Sequence, residues 1–135
     1  ARQMGVKKAI LLPVSAPFHC SMMQPAALEM QEALQNIVMK RPIIPIISNV
    51  TAHPVKTPED IKTHLIKQIT ARVRWRESIL YMSEQGVDLF VECGAGNILT
   101  QMLKRIVKTV QGCYLTDTEA LRANVEGYAL SKTRR

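Results

Sequence analysis

Cysteine is scarce and dispersed in this chain. Cys20, Cys93 and Cys113 form no C-x-x-C pair, so neither a disulfide framework nor a zinc knuckle organises the fold. His53 and His64 stand eleven apart and share no helix face with a cysteine, and no bound metal is expected. Aromatic residues are only 4% of the total, too few to build the stacking platforms that grip single-stranded nucleic acid. No apolar run reaches the roughly eighteen residues of a membrane span, since Pro13, Pro42, Pro45 and charges interrupt every candidate. Nor does the opening Ala1-Arg2-Gln3-Met4 carry an apolar signal core, and the reading is a soluble, cytoplasmic protein without a membrane partner.

What remains is ordinary globular composition, 47% hydrophobic and 21% charged in 135 residues, enough for one domain. The formal charge of +7 is scattered as Lys7-Lys8, Lys40-Arg41, Arg72/Arg74/Arg76, Lys104-Arg105/Lys108 and Arg134-Arg135. With so few aromatics, that scatter disfavours nucleic acid and suits a phosphorylated ligand or an acidic protein partner.

The apolar pattern alternates between two periods. Val6 to Leu12 reads as a strand feeding a Pro13 to Cys20 loop, and Ser21 is placed to cap a helix carrying the stripe Met23, Ala27, Met30, Leu34 and Ile37. Ile43 to Ser48 reads as a strand followed by turn residues Asn49, Thr51 and Pro54. Thr57-Pro58-Glu59-Asp60 has the cap, proline and acid of a helix start, with Ile61, Leu65, Ile66 and Ile69 on its apolar face. A helix over Trp75 to Gln85 stops at Gly86. A strand at Asp88 to Glu92 runs through Gly94-Ala95-Gly96 into a helix bearing Ile98, Leu99, Met102, Leu103, Ile106 and Val107. A strand near Cys113 to Leu115 and a helix from about Thr118 to Leu130 complete the pattern. Strands alternating with helices predict an α/β fold, a mainly parallel sheet with helices on both faces.

The chemistry points to His19. It follows Leu12-Pro13-Val14-Ser15-Ala16-Pro17-Phe18, where a strand breaks on two prolines, and the carboxyl ends of strands are where open α/β sheets gather functional groups. An imidazole there suits acid–base work.

Four motifs then fall in register: Ser15-Ala16-Pro17-Phe18-His19, Ser48-Asn49-Val50, Gln68 followed by Val73-Arg74-Trp75, and Val91-Glu92-Cys93-Gly94-Ala95-Gly96-Asn97-Ile98-Leu99-Thr100. In order and spacing they resemble the C-terminal part of malonyl-CoA:acyl carrier protein transacylases over residues 5 to 115. The resemblance implies the large hydrolase-like subdomain of the acyltransferase fold. By it, residues 1–14 end a helix–strand unit bordering a small ferredoxin-like subdomain, 15–130 are the C-terminal part of the acyltransferase domain, and 131–135 form a basic tail.

The same resemblance implies a malonyltransferase of fatty acid biosynthesis, with malonyl-CoA and acyl carrier protein as partners. No cofactor beyond the coenzyme A thioester is needed. In such enzymes a serine in a G-H-S-x-G turn carries the malonyl group, and this sequence contains no G-H-S-x-G. The serine, the oxyanion hole and the arginine that pairs with the malonyl carboxylate fall upstream of the match, so a missing N-terminal part becomes a further partner and the chain alone is expected to be inactive. An isolated piece of this kind is expected to self-associate through uncovered apolar surface.

His19 takes the position of the general base, Gln68 that of the residue whose backbone carbonyl orients it, and Asn49 a supporting position close to the histidine. Phe18 takes the place of a serine found in some members, and a ring there implies a pocket that excludes an α-methyl branch. Gly94 and Gly96 correspond to a tight strand-to-helix turn, with Ala95 where proline is usual. The competing reading is a non-catalytic domain that binds coenzyme A or acyl carrier protein.

Overall fold

The computed structural model describes residues 14–94 and 96–115, together with Gly5, Arg122 and Ala123. The expected strand at Val6 to Leu12, the helix after Thr118, the basic tail and Ala95 lie outside the described residues. Those described form two compact units, one from within Ala1–Ile44 and Lys56–Val73, the other from within Pro45–Val55 and Arg74–Arg135.

The first unit is helical. A 3-10 turn over Ser21–Met23 leads into helix α1, Gln24–Gln35. Ser21 does not cap this helix as the sequence suggests. The cap position belongs to Met23, which makes no side-chain cap bond, and Pro25 occupies the first turn, where its missing N–H costs nothing. Of the expected stripe, Ala27 and Leu34 are buried, while Met30 and Ile37 stay partly open. Helix α2, Pro58–Thr70, starts as its residues dictate: Thr57 is extended, its hydroxyl oxygen accepts the Asp60 N–H at 3.1 Å, and Glu59 and Asp60 complement the positive end of the helix. Ile61 is buried, and α1 and α2 pack against each other.

In the second unit the expected strand at Ile43 to Ser48 shrinks to β1, Ile46–Ile47, paired antiparallel with β2, Pro54–Val55. The hairpin replaces the anticipated place in the parallel sheet. Two prolines explain the shortening, because Pro42 and Pro45 lack the N–H that a ladder needs, and Ile43 and Ile44 remain exposed. The connecting loop is wound tightly: Ser48 N–H reaches His53 O at 3.1 Å, Ala52 N–H reaches Ser48 O at 2.8 Å, and buried Ala52 has φ 58°. His53 stacks obliquely on Tyr81, ring centroids 5.0 Å apart.

Helix α3, Trp75–Glu84, ends before Gly86, whose φ of 88° serves the expected stop. Strand β3, Leu89–Cys93, then helix α4, Ile98–Ile106, then strand β4, Gln111–Leu115, form a parallel strand–helix–strand unit with Leu89 opposite Gln111 and Cys93 opposite Leu115. Helix α4 packs on both strands and on α3. Close approach is possible because β4 offers Gly112: a methyl there would sit 2.6 Å from Leu103 Cδ2 and 3.3 Å from Thr100 Cγ2. Ile79, fully buried, and Leu103 anchor this core. No described helix is long and apolar enough to cross a membrane.

Candidate active site

His19 occupies the third position of a turn over Pro17–Cys20, with φ 61°. That left-handed conformation is normally a glycine position, and a side chain there costs about 1–2 kcal/mol. Local bonds hold it. Phe18 N–H reaches Ala16 O at 2.9 Å, the Cys20 thiol donates to Pro17 O at 3.0 Å, and Met23 N–H bonds Cys20 O at 3.0 Å.

The imidazole makes one long-range bond, Nδ1 to the backbone carbonyl of Gln68 at 2.8 Å, across 49 residues. A carbonyl only accepts, so Nδ1 carries a proton, and in the neutral ring the lone pair is at Nε2. Gln68 sits in the last turn of α2, and beyond it the chain turns extended at Ala71, ψ 154°. Carbonyls in a final helical turn lack the amide four residues on, and this one turns to the imidazole instead. The structure thus brings His19 and Gln68 together within one unit, although His19 itself is open to solvent.

Asn49 lies in the other unit, on the β1–β2 loop. Its carbonyl accepts the Arg74 N–H at 2.9 Å, and the Arg74 guanidinium reaches Thr51 O at 3.4 Å, so the loop is held against the start of α3. Phe18 presents more than half of its surface to solvent. A cavity of about 170 Å³ in the second unit is bordered by Trp75, Ile79, Phe90, Glu92, Leu99 and Leu103, and the buried Trp75 indole N–H has no hydrogen-bond partner among the described residues. None of the candidates His19, Gln68, Asn49 and Phe18 lines it. Among the described residues no His, Cys, Asp or Glu cluster is arranged to hold a metal ion.

Glu92 performs a task that its sequence neighbourhood does not advertise. Helix α4 receives no side-chain cap from Asn97. Instead the Glu92 carboxylate, projecting from β3, accepts the Leu99 N–H at 3.2 Å, the Thr100 N–H at 2.8 Å and the Thr100 hydroxyl at 2.7 Å. Desolvation pushes this carboxyl up, but the bonds from the Thr100 hydroxyl, the Thr100 amide and the Leu99 amide outweigh it and hold Glu92 below the usual carboxylate value. The strand-to-helix turn, with Gly94 at φ 148° and Gly96 at φ 113°, is therefore closed by an internal carboxylate. Two amides that a bound phosphate would need at this helix start are already taken. The signal was a glutamate seven residues before a leucine–threonine pair, outside the range of any local capping pattern.

The fold built this way is that of the α/β acyltransferases. The structure of an acyl-carrier-protein S-malonyltransferase from Bartonella henselae matches 93% of this chain and 40% of its own length, with a TM-score of 0.85 and 44% identity. A type II polyketide synthase acyl carrier protein in complex with its malonyl-transacylase matches with a TM-score of 0.84 and 36% identity, covering 93% of this chain and 41% of that one. By sequence, the malonyl CoA-acyl carrier protein transacylase of Escherichia coli K12 is 37% identical over 122 residues, 90% of this chain and 40% of that protein. The homologues of this chain are malonyl-CoA:acyl carrier protein transacylases, and it spans about 40% of their length. No family model matches the chain.

Proposed function

We propose that the chain is the C-terminal part of a malonyl-CoA:acyl carrier protein transacylase working in the cytoplasm, in fatty acid biosynthesis, and that His19 is its general base and acid. The observation that carries this reading is the 2.8 Å bond from His19 Nδ1 to the Gln68 carbonyl. It supports the tautomer a base needs, in which the neutral ring carries its proton on Nδ1 and leaves Nε2 available, and it does the orienting work that a carboxylate does in a Ser-His-Asp triad.

The nucleophile is a serine supplied by the segment that this sequence lacks. Nε2 takes the serine proton as the oxygen attacks the malonyl thioester, and the imidazolium then protonates the departing coenzyme A sulfur. The carrier protein thiol next gives its proton to Nε2 and attacks the malonyl-serine ester, and the same proton returns to the serine oxygen. Throughout, the Gln68 carbonyl faces the ring that becomes positively charged. Asn49 keeps the supporting role that the family resemblance gives it, and Phe18 limits the acyl pocket to an unbranched malonyl group.

The complete gene product tests the proposal. Incubated with malonyl-CoA it forms a malonyl-serine adduct visible by intact mass spectrometry, and the 135 residues alone form none. His19→Ala lowers malonyl exchange by about 10²–10⁴-fold. Exchange at the normal speed in that variant overturns the assignment. The absence of G-H-S-x-G from the sequence favours one other reading, a domain that binds coenzyme A or carrier protein without catalysis. Binding of either by the isolated chain, with no adduct in the complete product, selects it.

A further inference from the structure

We infer that Cys20 is a positioning residue whose thiol closes the Pro17–Cys20 turn and so holds His19 in the Nδ1–H tautomer against Gln68. Four observations meet at this turn. His19 has φ 61° where glycine is usual, so its backbone needs restraint. The Cys20 sulfur lies 3.0 Å from Pro17 O, short for a thiol donor. Cys20 itself is extended, φ −141° and ψ 172°, which turns its side chain back across the turn while its carbonyl accepts Met23 N–H and starts the 3-10 turn before α1. The imidazole that this geometry aims makes its bond to a carbonyl fixed at the end of α2.

The turn therefore has three fastenings: the thiol on one side of His19, the Cys20 carbonyl leading into the helix, and the imidazole on α2. Substitution of Cys20 leaves the backbone fastening in place and removes the thiol. An unrestrained turn relaxes toward negative φ at His19, which swings the ring away from Gln68 O. Neutral histidine free of that bond takes either tautomer, and the Nε2–H form has no lone pair at the position required for catalysis. The importance of this for acyl transfer rests on the proposed role of His19. The positioning itself does not, and it is measurable in the chain without any reaction.

Long-range ¹H–¹⁵N correlation spectra of the histidine rings, recorded on the 135-residue chain in mildly alkaline solution, report the tautomer of His19 directly. In the native chain the Nδ1–H form dominates. Cys20→Ala shifts the ratio toward Nε2–H by about two- to fivefold, the range expected for one weak hydrogen bond. Cys20→Val, close in size, compatible with extended backbone and without a donor, shifts it equally, so a fold lost in one variant does not remove the reading. Cys20→Ser restores the native ratio because a hydroxyl donates across the same gap. A native tautomer ratio in Cys20→Ala or Cys20→Val overturns the inference, as does an Nε2–H form dominating in the native chain. Malonyl exchange in the complete gene product separates this outcome from failure of the functional reading: inactivity there leaves the tautomer result intact.

Discussion

Replacing Gly112 by alanine tests whether α4 is seated on β4 as tightly as the geometry indicates. The added methyl meets Leu103 Cδ2 at 2.6 Å and Thr100 Cγ2 at 3.3 Å. Ordinary carbon–carbon contact is about 3.5–4.0 Å, so the leucine methyl has to retreat by about 1 Å. Leu103 has somewhere to go, because it borders the 170 Å³ cavity beside Trp75 and Ile79. Thr100 has less freedom, since its hydroxyl and amide are both bonded to Glu92. The cost thus sits at the lower end of the range for overpacking, about 1–2 kcal/mol. Leu103→Ala alone loses about 2–5 kcal/mol, because the side chain is 2% exposed. In the double variant the new methyl occupies part of the vacated space, and the loss falls short of the sum by about 1 kcal/mol. Urea denaturation of the four proteins, followed by Trp75 fluorescence, measures the cycle. Strict additivity, or no loss in Gly112→Ala, refutes the packing argument.

The remaining expectations concern the clasp, the cap and the pocket. Glu92 is held below the usual carboxylate value when folded, so its bonds to α4 contribute fully above the unfolded value, near 4.5, and that contribution is lost as pH falls through the lower folded value. Stability of the native chain, measured by denaturation at a series of pH values, falls in that acidic window more steeply than that of Glu92→Gln, whereas parallel curves contradict the clasp. Thr57→Ala removes the acceptor for Asp60 N–H and lowers stability by about 1 kcal/mol in a thermal melt, with Thr57→Ser nearly native. In the complete gene product Phe18→Ala gains methylmalonyl turnover by about tenfold or more relative to malonyl, the usual worth of one methyl group in a pocket. Unchanged selectivity removes Phe18 from the pocket.

How far the sequence reached depended on the range of the signal. Helix α2 and the stop at Gly86 were legible because a cap and a terminator act on amides within a few residues of themselves. Strand β3, its glycine turn and the following helix were legible from apolar period and the two glycines, whereas the Glu92 carboxylate that closes the turn acts from too far away to be read. Strand β2 was not: Pro54 reads as a breaker, yet a two-residue edge tolerates a residue without an N–H. Ile43 and Ile44 misled in the other direction, since an apolar run fixes composition and not partner, and both side chains are exposed. The bond from His19 to Gln68 spans 49 residues, and only the family resemblance, not any periodicity, anticipated it.

The Gly94-Ala95-Gly96 segment shows why such a motif is undecided by itself. A strand, two glycines and a helix describe both a phosphate cradle and a plain strand-to-helix turn, since each demands backbone that other residues avoid. The difference lies in what satisfies the first amides of the helix. Here a carboxylate from two residues before the first glycine accepts the Leu99 and Thr100 amides, and its negative charge stands where a phosphate would stand. An anion approaching those amides would first have to displace Glu92 and would then meet its charge. The glycines of this chain consequently serve the joint between β3 and α4.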